Sequence, residues 1–381
     1  MRLQQGERME KYMILKNGTV LTEEFVLKQL DVRVENGVIA EIGENLSGDD
    51  VLDCAGCTVV PGFVDVHTHG AMGADTCDAD AEGLQKIADH MLSHGVTSFC
   101  PTTMTVSHDE IVASLKTVRE FAAKQTAGAA AVGVHLEGPY IAKARKGAQA
   151  EEYVKVPDFE EFKEFYAASG EMIRIVSVAP ECDDSGFIEN AAKLCTVSIA
   201  HTTADYDIAM AAFDKGVTHA THLYNAMNGL NHRNPGVVGA VFDDERVAGE
   251  LICDGFHIHP AALRIAFKQL AGRVCVVSDS MRAAGLSDGE YDLGGQNVTV
   301  KGKTALLADG TIAGSVSNLH EELKNLVSYG VPLETAVRAM TETPAREIGL
   351  YDRIGSVAVG KKADLVVLDK DLDIVTVLHE N

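Results

Sequence analysis

From Phe63 onward, apolar β-type runs alternate with helix-length amphipathic stretches, and this alternation restricts the fold more than any other feature. The runs are Phe63–Val66, Val96–Pro101, Ala131–Leu136, Ile173–Ala179, Val197–His201, Val217–His222, Gly249–Cys253 and Val274–Ser278. Helical stretches between them include Ala81–Ser93, Asp109–Ala123, Phe159–Ala168, Asp205–Phe213 and Pro260–Leu270. Strands that are apolar along their whole length need cover on both faces, which helical crossovers between parallel strands provide. Eight such repeats predict an α/β fold built on a TIM-like (β/α)8 barrel. The eighth crossover is interrupted. Tyr291–Leu307 reads as an inserted β excursion, followed by helices at Leu319–Tyr329 and Pro332–Ile348.

Both ends of the chain read as β. Asn17-Gly18 after Tyr12–Lys16, and Asn36-Gly37 between Val32–Glu35 and Val38–Ile42, are hairpin signals. Asp53–Val60 leads to Pro61-Gly62, and the chain closes on Ala363–Leu368. The first sixty residues are too few to bury a core alone. The two ends are therefore expected to fold together as a small β-sandwich domain, residues 1–60 and 351–381, around a catalytic barrel of residues 61–350. Two separate β extensions are the alternative.

Hydrophobic residues make up 46% and charged residues 23%, a balance that excludes a disordered chain. No apolar run approaches the roughly 18–20 residues that span a bilayer. Met1–Lys11 is polar and lacks the apolar core of a signal peptide, so a cytoplasmic location is expected. A net charge of −23 argues against nucleic acid and anionic membranes as partners. A small anionic substrate remains compatible, because a pocket needs only a few basic groups. The eight cysteines are scattered, without a disulfide pattern. Cys54-Ala-Gly-Cys57 has metal-like spacing but no second pair.

Catalytic groups of such barrels sit at the C-terminal ends of the strands. The first run ends in His67-Thr68-His69, and residues i and i+2 on a strand share a face. Two imidazoles there suit zinc or iron, though two polar residues at a strand end account for the pair equally well. The third run ends in His135-Leu136-Glu137-Gly138-Pro139. A carboxylate after a buried run is costly unless paired or bound to metal. His135 reads either as an orienting group beside the site or as a satisfied core histidine. His201 ends the fifth run, His219 and His222 the sixth, and Asp279 the eighth. Core strands do not end this way repeatedly without a site.

Several longer segments carry a resemblance. Pro61–Gly70, Gly95–Phe99, Pro101–Thr103, His135–Tyr140, Ala200–Thr202, His222–Met227, Asp254–His257, Asp288–Gly295, Ala313–Ser315, Thr343–Arg346 and Gly360–Leu365 resemble the N-acetylglucosamine-6-phosphate deacetylases of the amidohydrolase superfamily. The match runs from about Gly18 to Asp369, and HLEGP with HLYNAM is its most specific part. The resemblance implies a barrel with a small β domain from both termini, and a cytoplasmic enzyme of amino-sugar metabolism. It implies that Glu137, His201 and His222 bind a divalent metal, zinc or iron. Members that keep the HxH pair hold a second ion there. His67 and His69 are both present, so two ions are expected, with Glu137 bridging them.

In the same reading Asp279 matches the general acid–base, and the products are glucosamine 6-phosphate and acetate. Asn225, Ala226, Arg233 and His257 match residues around the sugar phosphate, with Arg233 reaching across a homodimer interface. Gln149 stands where some members have a substrate-touching histidine, and His135 joins this set as an orienting group. Deacetylation of N-acetylgalactosamine 6-phosphate is the near alternative, since the two sugars are epimers. A dihydroorotase- or hydantoinase-like cyclic amidase is more distant. Those enzymes use a carboxylated lysine after strand four, and Ile173–Ala179 contains no lysine.

Overall fold

The computed structural model describes residues 12–380. Strands from both ends form one seven-stranded sheet. Its order is Ile374–Leu378, Leu365–Leu368, Thr58–Pro61, Tyr12–Leu21, Leu27–Glu35 and Val38–Gly43, with Val51–Asp53 also paired to Tyr12–Leu21. Leu15, Val20, Val32, Ile39, Val59, Leu365 and Val367 bury a core of their own beneath it. The Asn36-Gly37 hairpin forms as expected: both residues take positive φ (51° and 74°), which lets the turn match the strand twist.

Asn17-Gly18 does not turn the chain. Tyr12–Leu21 is one strand, and its register shifts between Leu15 and Gly18. Asn17 takes a φ of 63° and donates its backbone N–H to Asp31 Oδ1 at 2.9 Å. A Cβ on Gly18 would lie 3.1 Å from both Cys54 and Val59 side chains. The pair therefore makes a bulge that presses the strand onto its neighbours, where the residue types alone read as a hairpin.

The remainder is an α/β fold. The parallel strands are β1 (Phe63–Thr68), β2 (Val96–Pro101), β3 (Val134–Leu136), β4 (Ile173–Val178), β5 (Thr196–Ile199), β6 (Val217–Ala220), β7 (Ala248–Leu251) and β8 (Val274–Val276). Strand β1 pairs with β2, and β3 through β8 pair successively. A bridge between Thr102 and His135 links the two groups. At the other end Asp279 donates its N–H to the His67 carbonyl at 2.9 Å. Polar caps start the covering helices: Asp80 before Ala81–Ser93, Ser107 with Glu110 before His108–Lys124, and Asp158 before Phe159–Ala168. Apolar faces such as Ile111, Leu115 and Val118 pack onto the strands.

Two stretches differ from expectation. The single helix expected over 332–348 is two, Leu333–Met340 and Glu342–Glu347, broken at Thr341 (φ −135°, ψ −73°). Pro344 has no N–H, and its ring would clash with the carbonyl of Met340 in a continuous helix. The crossover after β4 contains only a five-residue helix, Phe187–Ala191, too short to leave a periodic signal. The β excursion forms an antiparallel sheet of Gly289–Leu293, Gln296–Lys301 and Thr304–Leu306. Among the described residues, no helix is long and apolar enough to cross a membrane.

Candidate metal centre

The C-terminal ends of five strands converge on one cavity of about 330 Å³. After β1, His67 and His69 share a face and bring their Nε2 atoms to 3.3 Å. After β3, Glu137 reaches His201 Nε2 at 3.2 Å and His222 Nε2 at 3.1 Å through Oε1. These two Nε2 atoms lie 3.0 Å apart. Glu137 Oε2 also lies 3.3 Å from His69 Nε2. Asp279, after β8, places Oδ1 3.4 Å from His67 Nε2 and 3.3 Å from His69 Nε2. Two candidate metal-binding groups face the cavity, Glu137–His201–His222 and His67–His69–Asp279, and a third, His67–His135–Glu250, lies beneath them; all are buried.

Backbone conformation aims these side chains inward. His201, His222 and Asp279 each follow a strand end with positive φ, at 43°, 31° and 46°. Non-glycine residues adopt that conformation at a cost, and such strain concentrates at functional sites. Gly138 lets the turn after Glu137 close on its neighbour, because a Cβ there would sit 2.0 Å from Thr105 Oγ1.

The donor set suits a cation. His201 donates Nδ1–H to the Arg145 carbonyl at 2.8 Å, and His67 donates Nδ1–H to Glu250 Oε2 at 2.8 Å. Each bond leaves Nε2 bare and pointing at carboxylate oxygens and other imidazoles. Atoms with lone pairs and little to donate thus face one another at about hydrogen-bonding distance, an arrangement that a positive ion resolves. Burial alone would raise the Glu137 carboxyl. With those imidazoles protonated, His67, then His201, His222 and His69, outweigh it and hold the group well below the ordinary carboxylate range, so the carboxylate stays charged. Asp279 is likewise raised by burial and lowered more by His67, His69 and His222.

The expected substrate residues separate. Asn225, Ala226 and His257 line the cavity. His257 is oriented by donating Nδ1–H to Asp254 Oδ2 at 2.8 Å. Gln149 also lines it, but both of its ends are engaged: Oε1 accepts from the Thr105 N–H at 2.6 Å, and Nε2 donates to Glu137 Oε2 at 2.7 Å. It supports Glu137 where a substrate contact was expected. Of the two readings of His135, the structure favours the satisfied core histidine over the orienting substrate contact. It is buried below the cavity, donates Nδ1–H to the Val66 carbonyl at 3.1 Å and accepts from Ser177 Oγ at 2.9 Å. Burial, then the neighbouring His67, hold it neutral with a pKa near 3. Arg233 sits on an exposed loop and does not line the cavity of this single chain.

Two residues escaped the sequence reading. Arg145 lines the cavity and donates to Asn228 Oδ1 at 2.5 Å. Its only signal was a basic residue in the loop after Glu137. Glu250 is fully buried on β7 beneath both candidate groups. The signal was a lone carboxylate inside an apolar run, which has to be paired.

The model of the amidohydrolase family matches residues 58–380. The chain is 37% identical to N-acetylglucosamine-6-phosphate deacetylase of Bacillus subtilis (strain 168), covering 96% of each chain. It is 35% identical to N-acetylgalactosamine-6-phosphate deacetylase of Escherichia coli O157:H7, covering 95% of this chain and 96% of the relative. Among solved structures, N-acetylglucosamine-6-phosphate deacetylase from Pasteurella multocida superposes with a TM-score of 0.92 at 29% identity, over 97% of this chain and 98% of that one. A family model spanning most of the chain and relatives aligned over nearly its full length lead to one conclusion: this protein belongs to the amidohydrolase family.

Proposed function

We propose that this enzyme removes the acetyl group from N-acetyl-D-glucosamine 6-phosphate, giving D-glucosamine 6-phosphate and acetate. The observation that carries the reading is the meeting of Glu137, His201, His222 and Asp279 at one cavity that Arg145 and His257 also line. The scaffold is a closed (β/α)8 barrel of residues 61–350, flanked by a small β-sandwich domain from the two ends.

Glu137, His201 and His222 would hold one divalent ion, zinc or iron. His67 and His69, with Asp279 beside them, would hold a second, with Glu137 between the two. A divalent ion there supplies Lewis acidity to the attacking water and the acetamide oxygen. Asp279 does the proton work: it takes a proton from that water and returns it to the departing sugar nitrogen. Its Oδ1 faces His67 and His69, which leaves Oδ2 to carry the proton.

Arg145, His257, Asn225 and the Ala226 N–H bind the phosphate, where charge-assisted donors are the strong ones. A second copy of the chain adds Arg233 in a homodimer. Arg145→Ala is expected to lower kcat/KM for the 6-phosphate about 10- to 100-fold, from the roughly 1.5–3 kcal/mol of a hydrogen bond to a charged group. Activity on unphosphorylated N-acetylglucosamine should change little. Equal losses on both substrates would remove Arg145 from phosphate recognition.

The deciding assay measures acetate release from N-acetylglucosamine 6-phosphate, N-acetylgalactosamine 6-phosphate and unphosphorylated N-acetylglucosamine. The expected order is the gluco 6-phosphate first and the free sugar last. A faster galacto 6-phosphate would reassign the substrate, and equal rates with and without phosphate would remove the phosphate site.

A further inference from the structure

No residue of β7 (Ala248–Leu251) lines the cavity, yet this strand places a fully buried carboxylate directly beneath it. Glu250 Oε2 accepts from His67 Nδ1 at 2.8 Å and from the backbone N–H of His222 at 3.0 Å. One oxygen atom therefore touches a residue of each candidate metal group. Glu250 Oε1 accepts from His219 Nε2 at 3.0 Å, and His219 Nδ1 donates to Glu347 Oε2 at 2.9 Å. Glu347 lies on the helix Glu342–Glu347, so the carboxylate is clamped from a different element.

We propose that Glu250 is the positioning residue that readies His67 for metal and sets the spacing between the two ion sites. This rests on the metal reading above. A histidine ligand works through one nitrogen, and the partner of the other nitrogen decides which one carries the proton. With Nδ1–H committed to Glu250, His67 Nε2 is bare and faces His69 and Asp279. The same oxygen holds the start of the His222 turn, where φ is 31°. A rotation of the Glu250 side chain would thus disturb His67 and His222 together. His219 and Glu347 oppose that rotation.

Glutamine at this position keeps the geometry. Its oxygen still accepts from His67 and His222, and its amide donates to His219 Nε2, while His219 keeps Nδ1–H toward Glu347. Leucine removes every one of these bonds. The test is zinc binding by the whole enzyme, measured by chelator competition and elemental analysis, with folding followed by metal-free circular dichroism.

Glu250→Leu is expected to weaken one of two zinc ions about 10- to 100-fold, the usual loss when the partner of a ligating histidine is removed. It should be the same ion that His67→Ala removes. Glu250→Gln is expected to recover most of that affinity, and a downfield imidazole N–H resonance seen in wild type and Glu250→Gln should vanish in Glu250→Leu. If Glu250→Leu does not fold, His219→Leu replaces it and should weaken that ion most, since its ligand His67 depends on Glu250 through a side-chain bond. Two tightly held ions in either leucine variant would overturn the proposal and leave the metal reading intact. A wild type that holds one ion, unaffected by His67→Ala, would overturn both.

Discussion

Asp279→Asn is expected to lower kcat about 10²- to 10⁴-fold, the range that a positioned general acid–base contributes, with a small change in KM. Asparagine has nearly the same shape and still presents an oxygen to His67 and His69. It cannot accept a proton from water or return one to nitrogen. The carboxyl is well prepared for that task in the native chain. Burial raises its pKa, but His67, His69 and His222 pull it below the ordinary value, so it is anionic at neutral pH. The check is steady-state acetate release beside metal content. A variant with unchanged metal and near-normal kcat would remove Asp279 from proton transfer.

Glu137→Ala should be as damaging by a different route. Glu137 contacts His201 and His222 through one oxygen and His69 through the other, and Gln149 braces it at 2.7 Å. Removing it takes the shared carboxylate from both candidate groups. Metal content of the purified enzyme should fall, and kcat/KM should drop about 10³-fold or more, since a metal contributes several kcal/mol to such a transition state. Millimolar zinc in the assay should restore part of the activity. Full metal content in Glu137→Ala would end its assignment as a ligand. Gln149→Ala offers a graded comparison, because it frees the Glu137 carboxylate without removing it. A loss in metal affinity with unchanged KM would mark Gln149 as support for Glu137.

Arg145 and Glu250 show why some of the site was not legible in the chain. A strand that ends in histidine or carboxylate announces itself, because a polar group closing an apolar run is costly unless it is paired or bound. Arg145 ends a single 3-10 turn, Lys143–Arg145, in the connection after Glu137, where a basic residue is ordinary and only the path of the chain brings it to the cavity. Glu250 sits mid-strand, and nothing in Ala248–Leu251 tells which neighbours lie across the interior. His135 shows a choice that the chain left open. It shares a motif with Glu137 yet points below the cavity to Val66 and Ser177, because residues two apart differ in depth once the strand has ended at Leu136.

Local chemistry decided much of this protein from the chain alone. Continuous apolar runs and capped amphipathic stretches specified parallel strands with helical cover, because a strand buried on both faces can carry few polar residues. Asn36-Gly37 specified a hairpin, because few other residues take two positive φ values in succession. Tertiary structure alone decided two things. It made a bulge of Asn17-Gly18, since Asp31, Cys54 and Val59 press on that strand from elsewhere in the chain. It also set the distances within the site: Glu137 meets His222 across 85 residues, and His67 meets Glu250 across 183. Contacts of that range depend on how whole strands register against one another, and no local preference records it.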